Sequence, residues 1–265
     1  MDLIKIENLE YFYNKNEHIV NNVNFNLTTS EKNIIIGSNG SGKTTLLKCI
    51  LGMLKTEDMI KIDGMDVEEL RQYTDLSTNV EDALHISGDL KTNEFIGYHL
   101  ELKGLNPENG IQLLEHFNLI NIKSQKISKL SSGQKRMLNN IVALASDSKI
   151  TIMDEPASDV DPGRVKLLVD LINSKNHAFI ITSHDLSLIQ RIEGSTLSIM
   201  VNGRLYGKIA PGNRIFSMYV SYIKPDNESI EIINEGKKIY LTSERTENSK
   251  SIEKLDDLLS LYEVD

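Results

Sequence analysis

A glycine-rich loop between two apolar runs constrains the fold of this chain more than any other feature. The stretch IIIGSNGSGKTTLLKCIL, residues 34–51, satisfies the pattern G-x-x-x-x-G-K-[ST]. The isoleucines before the loop are typical of a buried parallel strand, and the leucines after it recur at helical spacing. A strand, a glycine loop and a helix N-terminus make a phosphate site. The residues that we expect to bind phosphate are Gly37, Ser38, Asn39, Gly40, Ser41, Gly42, Lys43, Thr44 and Thr45.

The residues of this loop predict a nucleoside triphosphate as the ligand. Glycines let backbone N–H groups turn toward an anion, because no Cβ blocks the torsion angles that this requires. Lys43 is expected to reach the β- and γ-phosphates, and the Thr44 hydroxyl is expected to bind Mg²⁺. The alternative is a glycine-rich turn with a chance lysine, and the full pattern with both flanks argues against it.

The composition limits the classes of protein that remain. The 265 residues are 40% apolar and 25% charged, which is typical of a globular chain of one domain or slightly more. The net charge of −9 predicts no nucleic acid as partner, because that binding depends on basic surface. No apolar run approaches the ~20 residues that span a bilayer, and no signal peptide is expected. The single cysteine, Cys49, is compatible with a reducing cytoplasm.

Strand-like and helical segments alternate along the chain, which predicts an α/β fold with a parallel sheet. Short strands and Asn-rich turns up to about residue 36 predict an N-terminal antiparallel β subdomain. An inserted helical subdomain is expected at about residues 85–145, with Thr92 as the N-cap of one helix. Strands and a last acidic amphipathic segment, SIEKLDDLLSLY, predict a small α+β extension. The predicted domains are therefore residues 1–211 and residues 212–265.

Three more motifs follow the loop in chain order. ITIMDEP is an apolar run that ends in Asp154 and Glu155, and carboxylates at a strand end can hold Mg²⁺ and polarise an attacking water. LSSGQ, residues 130–134, begins a predicted helix and offers hydroxyls and free N–H groups to an anion. An ordinary serine N-cap is the alternative for LSSGQ taken alone. His184 lies just past a strand, where a histidine by itself is more often a surface residue.

In order, content and spacing, GSNGSGKTT, LSSGQ, IMDEP, SDVD and His184 resemble the ATP-binding cassette (ABC) family. The resemblance covers residues 1 to about 208. It implies a P-loop NTPase core, ATP and Mg²⁺ as ligands, and two chains that hold each ATP between them. The pair would be a homodimer, or a heterodimer with a related ATPase.

The resemblance also implies a role for each matching residue. Tyr13 would stack on adenine, Asp154 would lie near Mg²⁺ and Glu155 would be the catalytic base. His184 would contact the γ-phosphate. The loop that communicates across the dimer would consist of Ser158, Asp159 and Asp161. The signature, which would close over the ATP of the partner chain, consists of Leu130, Ser131, Ser132, Gly133 and Gln134.

Two positions depart from the family pattern. Ser132 stands where glycine is usual, and it keeps the backbone N–H but adds a side chain. Asn79 stands where the family has a glutamine that contacts Mg²⁺ and the membrane partner, with Glu81 as the alternative position. As a metal ligand, Asn79 is expected to act in coupling more than in nucleotide binding. An ordinary turn residue is the other interpretation of Asn79.

The resemblance predicts the ATP-binding and hydrolysing subunit of an ABC transporter, peripheral at the cytoplasmic face of the cell membrane. A separate transmembrane permease subunit is the expected partner, driven by closure of the ATP-bound dimer. TNEFIGYHLELKGL and the short tail resemble cassettes of the export type. A non-transport ABC ATPase, for example of the iron–sulfur assembly type, is the alternative. A regulatory module that only holds ATP is a second alternative, and the presence of Glu155 argues against it.

Overall fold

The structure is a computed structural model that describes most of the chain. The described residues are 2–14, 17–69, 76–79, 89–146, 148–185, 188, 191–209, 218–225, 229–234, 237–242, 245–246 and 249–252. They form two compact units, residues 1–71 with 182–265, and residues 72–181. Glu81, residues 253–265 and the predicted boundary at 211/212 lie outside the described residues, so the predicted domain limits remain predictions.

Strands and helices alternate in the order that the sequence predicts. In chain order, the described strands are β1 (Asp2–Asn14), β2 (Glu17–Thr28), β3 (Lys32–Ile36), β4 (Ile60–Ile62), β5 (Met65–Asp66), β6 (Leu76–Thr78), β7 (Ile150–Asp154), β8 (Ala178–Ser183), β9 (Thr196–Val201), β10 (Arg204–Ile209), β11 (Met218–Ser221), β12 (Ser229–Asn234), β13 (Lys237–Thr242) and β14 (Ser249–Ile252). The described α-helices are α1 (Lys43–Ile50), α2 (Thr92–Glu101), α3 (Glu108–His116), α4 (Ser132–Ala145) and α5 (Pro162–Ser174).

The first unit begins with the predicted antiparallel sheet, whose strand order is β2-β1-β4-β5. Ile4, Ile6 and Leu9 are buried along β1, although the step from Ile6 to Leu9 would place them on opposite faces of a regular strand. The register shifts between these two residues, where Asn8 has φ 50°. This irregularity inserts an extra residue and returns Leu9 to the buried face.

The strand that carries the phosphate loop is buried along its whole length, as predicted. All five residues of β3 are buried, and the strand pairs in parallel with β9. Its isoleucines have neighbours on both faces, which explains why the sequence is a continuous apolar run and does not alternate. Beyond β9, β10 pairs antiparallel.

The second unit combines parallel strands with the predicted helical segment. β6 pairs in parallel with β7, and α2, α3 and α4 are the helices of the segment. The prediction of Thr92 as an N-cap is wrong: Lys91 is the N-cap, and its N–H donates to Glu94 Oε2 at 2.9 Å. Thr92 is the first helical residue and is buried, and its hydroxyl donates to the Gln125 carbonyl at 3.2 Å instead of capping the helix.

The C-terminal residues form an antiparallel sheet with the strand order β12-β13-β11-β14. Ser251 and Ile252, which the sequence assigns to the amphipathic segment, instead belong to β14, where they pair with Tyr219 and Met218. This sheet contacts β10 closely, because a Cβ added at Gly207 would lie 2.3 Å from Ile230 Cδ1.

This contact predicts the effect of a methyl group at position 207. Gly207 has φ 77°, and Gly64, on an open turn, has φ 80° with nothing within 4 Å of an added Cβ. Gly64→Ala should lower the free energy of unfolding by about 1 kcal/mol through backbone strain alone. Gly207→Ala adds a clash with a buried side chain and should lower it by about 2–3 kcal/mol. Urea unfolding of both variants measures the difference, and equal losses would contradict the contact.

Candidate functional site

The phosphate loop joins β3 to α1 through a backbone that two glycines make possible. Gly42 is the N-cap of α1 with φ 105°, a left-handed conformation. A Cβ at this position would lie 2.7 Å from the Ile19 carbonyl oxygen, and a Cβ at Gly37 would lie 2.5 Å from the Met200 carbonyl oxygen. Both values are shorter than real Cβ contacts, so the predicted pattern of glycines has a steric reason at each position.

Lys43 is held in place by the carbonyl groups of the loop that it follows. Its Nζ donates to the Gly37 oxygen at 2.7 Å and to the Ser38 oxygen at 3.2 Å, and the residue is 6% exposed. The ammonium group therefore lies inside the loop at the positive end of α1, where it can exchange carbonyl oxygens for phosphate oxygens. Thr44 is exposed on the first turn of this helix, and Thr45 is buried.

Two other predicted residues of the first unit, Tyr13 and His184, have exposed side chains. Tyr13 lies at the end of β1, is 54% exposed and meets the Tyr11 ring edge-on, with ring centroids 5.2 Å apart. His184 follows β8 directly and is exposed. Their roles toward adenine and the γ-phosphate remain predictions.

In the second unit, the acidic pair lies at the end of β7, as predicted. The first four residues of β7 are buried, and Asp154 is half-buried. Glu155 follows with φ 46°, a left-handed conformation that costs a residue other than glycine about 1–2 kcal/mol. The turn continues with the Ser158 N–H, which donates to the Glu155 carbonyl at 3.1 Å. A strained turn thus fixes the start of the Glu155 side chain.

Asn79, the predicted metal ligand, is bonded to the backbone at the end of β7. Asn79 is 1% exposed, and its Oδ1 accepts the N–H of Asp154 at 2.6 Å. Its Nδ2 donates to Asn140 Oδ1 at 2.6 Å and to the Asp154 carbonyl at 3.3 Å. Because the amide is buried and both of its ends are bonded to the protein, Asn79 stabilises the end of β7 in this structure. Its role as a Mg²⁺ ligand remains a prediction.

Sequence reasoning missed two residues that bond to this strand end. Asn140 Nδ2 donates to the Pro156 carbonyl at 2.8 Å, and Arg136 Nη1 donates to the Asp154 carbonyl at 3.3 Å. The available signal was the pair of asparagines inside the apolar stretch of α4, since a buried amide in a helix needs a partner.

The signature residues form the first turn of α4 and its cap. Ser131 is the N-cap: its Oγ accepts the Gln134 N–H at 3.2 Å, and Gln134 Oε1 accepts the Ser131 N–H at 2.9 Å. The interpretation of Ser131 as an N-cap is therefore confirmed, and Ser132 and Gly133 follow in the first turn. Leu130 is buried beneath them. The remaining N–H groups of this turn can bind an anion.

The loop Ser158–Asp161 packs against this helix start. A Cβ at Gly133 would lie 2.3 Å from the Asp159 carbonyl oxygen, so position 133 tolerates only glycine without a shift of the loop. A cavity of about 200 Å³ lies between the two segments. Asp161 is the N-cap of α5, and the hydrogen bond that its side chain accepts from the Arg164 N–H lowers the pKa of this carboxyl. Arg164 Nε also donates to the Phe117 carbonyl at 3.0 Å.

The geometry of the phosphate loop predicts a specific loss on removal of its buried cation. Lys43→Ala should weaken ATP binding about a hundredfold, because the triphosphate loses a charge-assisted partner inside the loop. Lys48→Ala, on the last turn of the same helix, is the control and should bind ATP as the unchanged protein does. Isothermal titration with ATP measures both, and an unchanged affinity of Lys43→Ala would remove this residue from the site.

Comparisons with known proteins agree on the family. The sequence profile of the ABC transporter family matches residues 20–158. The energy-coupling factor transporter ATP-binding protein EcfA of Malacoplasma penetrans (strain HF-2) is 32% identical over 197 residues, 69% of this chain and 68% of that protein. A Bacillus cereus (strain ATCC 10987 / NRS 248) protein assigned to the ABC transporter ATP-binding proteins is 30% identical over 198 residues. That match covers 71% of this chain, which spans only 35% of the relative's length.

A solved structure has a similar fold. It is that of CbiO-2, a protein assigned to the cobalt transport ATP-binding proteins, which is 30% identical in sequence to this chain. The two structures match with a TM-score of 0.79 over 90% of this chain and 91% of that chain. The predicted fold, a P-loop NTPase core, and the predicted enzyme class, an ABC-type ATP hydrolase, are confirmed at the level of the family. No helix among the described residues is long and apolar enough to cross a membrane. This chain belongs to the ABC transporter family.

Proposed function

We propose that this chain binds and hydrolyses ATP as the peripheral subunit of a membrane transporter, at the cytoplasmic face of the membrane. The observation that carries the proposal is the phosphate loop, where Lys43 lies 2.7 Å from the Gly37 carbonyl at the start of α1. Residues 37–45 supply the backbone N–H groups and the cation that a triphosphate needs. A separate transmembrane permease subunit completes the transporter.

Hydrolysis requires a base and a way to neutralise phosphate charge. The Glu155 carboxylate accepts a proton from the water that attacks the γ-phosphorus, and ADP leaves with the charge that Lys43 stabilises. Thr44 and Asp154 offer hydroxyl and carboxylate oxygens, the ligand types that Mg²⁺ prefers, so the residues fit this ion. Bound Mg²⁺ would neutralise charge on the phosphate oxygens. His184 contacts the γ-phosphate, and Tyr13 stacks on adenine.

A second copy of the chain supplies the other half of each ATP site. Ser131 caps α4, and the other N–H groups of the first turn are available to bind an anion. In the dimer, this anion is the ATP that the partner chain holds. Two copies related by a two-fold axis would then bury two ATP molecules in one interface. The loop Ser158–Asp161, in contact with Gly133, couples the two sites.

The proposed direction of transport is export. Export rests on the resemblance of residues 92–105 and the tail to export-type cassettes. The EcfA relative is named for energy coupling and the CbiO-2 structure for cobalt transport, and neither name supports export. ATP-driven closure of the dimer is the step that we propose for either direction.

The dimer predicts a change of oligomeric state in a variant that cannot hydrolyse ATP. Glu155→Gln keeps the shape of the side chain but removes the general base, so the ATP-bound closed dimer should accumulate. Size-exclusion chromatography with light scattering should find the Glu155→Gln protein monomeric without nucleotide or with ADP, and dimeric with ATP.

The control variant blocks closure at the signature. Adding Ser132→Arg to Glu155→Gln places a bulky cation at the first turn of α4, where Ser132 is exposed, and should restore the monomer. A Glu155→Gln protein that stays monomeric at saturating ATP would contradict closure by two copies of this chain.

A further inference from the structure

Two buried asparagines, far apart in sequence, share a hydrogen bond beside the acidic strand end. Asn79 is 1% exposed and Asn140 is 0% exposed. Asn79 Nδ2 donates to Asn140 Oδ1 at 2.6 Å. A buried amide is stable only when its donors and acceptor are bonded, so this pair needs further partners.

Besides Met137 Sδ, which lies 3.8 Å from Asn140 Nδ2, the pair bonds to backbone groups on both sides of Glu155. Before Glu155, the Asp154 N–H donates to Asn79 Oδ1 at 2.6 Å, and the Asp154 carbonyl accepts from Asn79 Nδ2 at 3.3 Å. After Glu155, the Pro156 carbonyl accepts from Asn140 Nδ2 at 2.8 Å. The two amides, bonded to each other, therefore hold both ends of a three-residue segment.

The segment between these bonds adopts a backbone that needs support. Glu155 has φ 46°, and a residue other than glycine keeps this conformation only where its surroundings hold it. If the backbone of this segment relaxed, the Glu155 carboxylate would shift. Displacement of a catalytic group by about 1 Å can lower the reaction rate a hundredfold. The bonds to Asp154 and Pro156 oppose this relaxation directly.

We propose that Asn79 and Asn140 form an amide lock that positions Asp154 and Glu155 for ATP hydrolysis. The inference rests on the proposed function, since it gives these carboxylates a task. The two asparagines act through the backbone of residues 154–156, so they are positioning residues. In this role Asn79 stabilises the strand end and is not a ligand of Mg²⁺.

The first experiment measures steady-state hydrolysis by the protein with Asn79→Leu, Asn140→Leu or both. Leucine has a similar volume and removes the amide hydrogen bonds. Each single variant should lower kcat at least about tenfold, while KM for ATP and the half-saturating Mg²⁺ concentration stay within about twofold. The double variant should be about as slow as the slower single variant, because both remove one unit.

A neighbouring asparagine provides the matched control. Asn139 lies next to Asn140 on α4 and is 6% exposed, and its Nδ2 has no hydrogen-bond partner in the part of the chain that the structure describes. Asn139→Leu changes the same residue type at similar burial but leaves the bonds to Asp154 and Pro156 intact. Its kcat should stay within about twofold of the unchanged protein.

The second experiment needs no activity and so separates this inference from the proposed function. Hydrogen exchange, followed by mass spectrometry, measures protection of peptides that cover residues 151–158 in the protein without nucleotide. The Asp154 N–H should exchange at least about tenfold faster in Asn79→Leu and Asn140→Leu, and not in Asn139→Leu.

Different results would overturn the amide lock and the proposed function. Folded Asn140→Leu protein with normal kcat or normal exchange would overturn the amide lock. Rescue of Asn79→Leu by high Mg²⁺ would also overturn it, since that result would make Asn79 a metal ligand. If the wild-type protein hydrolysed no ATP, the proposed function would be overturned. The rate of hydrogen exchange at Asp154 in the variants would still test the amide lock.

Discussion

The phosphate loop depends on a backbone conformation at position 42 that glycine alone adopts without strain. With φ 105° at Gly42, the chain turns from β3 into α1, so the helix N-terminus faces the loop. The carbonyl of Ile19 lies so close that a Cβ would sit 2.7 Å from it. β2 therefore supports the loop from behind, and Lys43 then falls within reach of the loop carbonyls. This single turn therefore places the ammonium group of Lys43 at the N-terminus of α1, where the cation and the helix dipole can act on one anion.

The acidic strand end uses the opposite solution, since its left-handed residue carries a side chain. Glu155 cannot be glycine if its carboxylate is the base, so its conformation must be stabilised from outside. Hydrogen bonds with the buried side-chain amides of Asn79 and Asn140 supply this support on both sides of the residue. The phosphate loop and the acidic strand end thus show two ways to stabilise an unusual backbone conformation. One is removal of the Cβ, and the other is fixation by side-chain hydrogen bonds.

The sequence predicted the parts of the site that local chemistry determines. The glycine-rich loop and the apolar β3 each depend on neighbours within a few residues. The bond from Asn79 to Asn140 spans 61 positions, and the bond from Arg164 to the Phe117 carbonyl spans 47. An amide or a guanidinium does not reveal its partner at such a distance, so the motif of the family suggested a metal ligand at Asn79. The prediction of Thr92 as an N-cap was wrong because its hydroxyl bonds to Gln125, 33 positions away.

In the proposed function, Glu155 is the base for hydrolysis of the ATP that the phosphate loop binds. The most direct test compares Mg²⁺-dependent ATP hydrolysis by the unchanged protein and by Glu155→Gln, at ATP concentrations shown to saturate both. Glu155→Gln should bind ATP as the wild-type protein does and hydrolyse it at least about a hundredfold more slowly, as expected for loss of a general base. Equal rates of hydrolysis by the two proteins would contradict it.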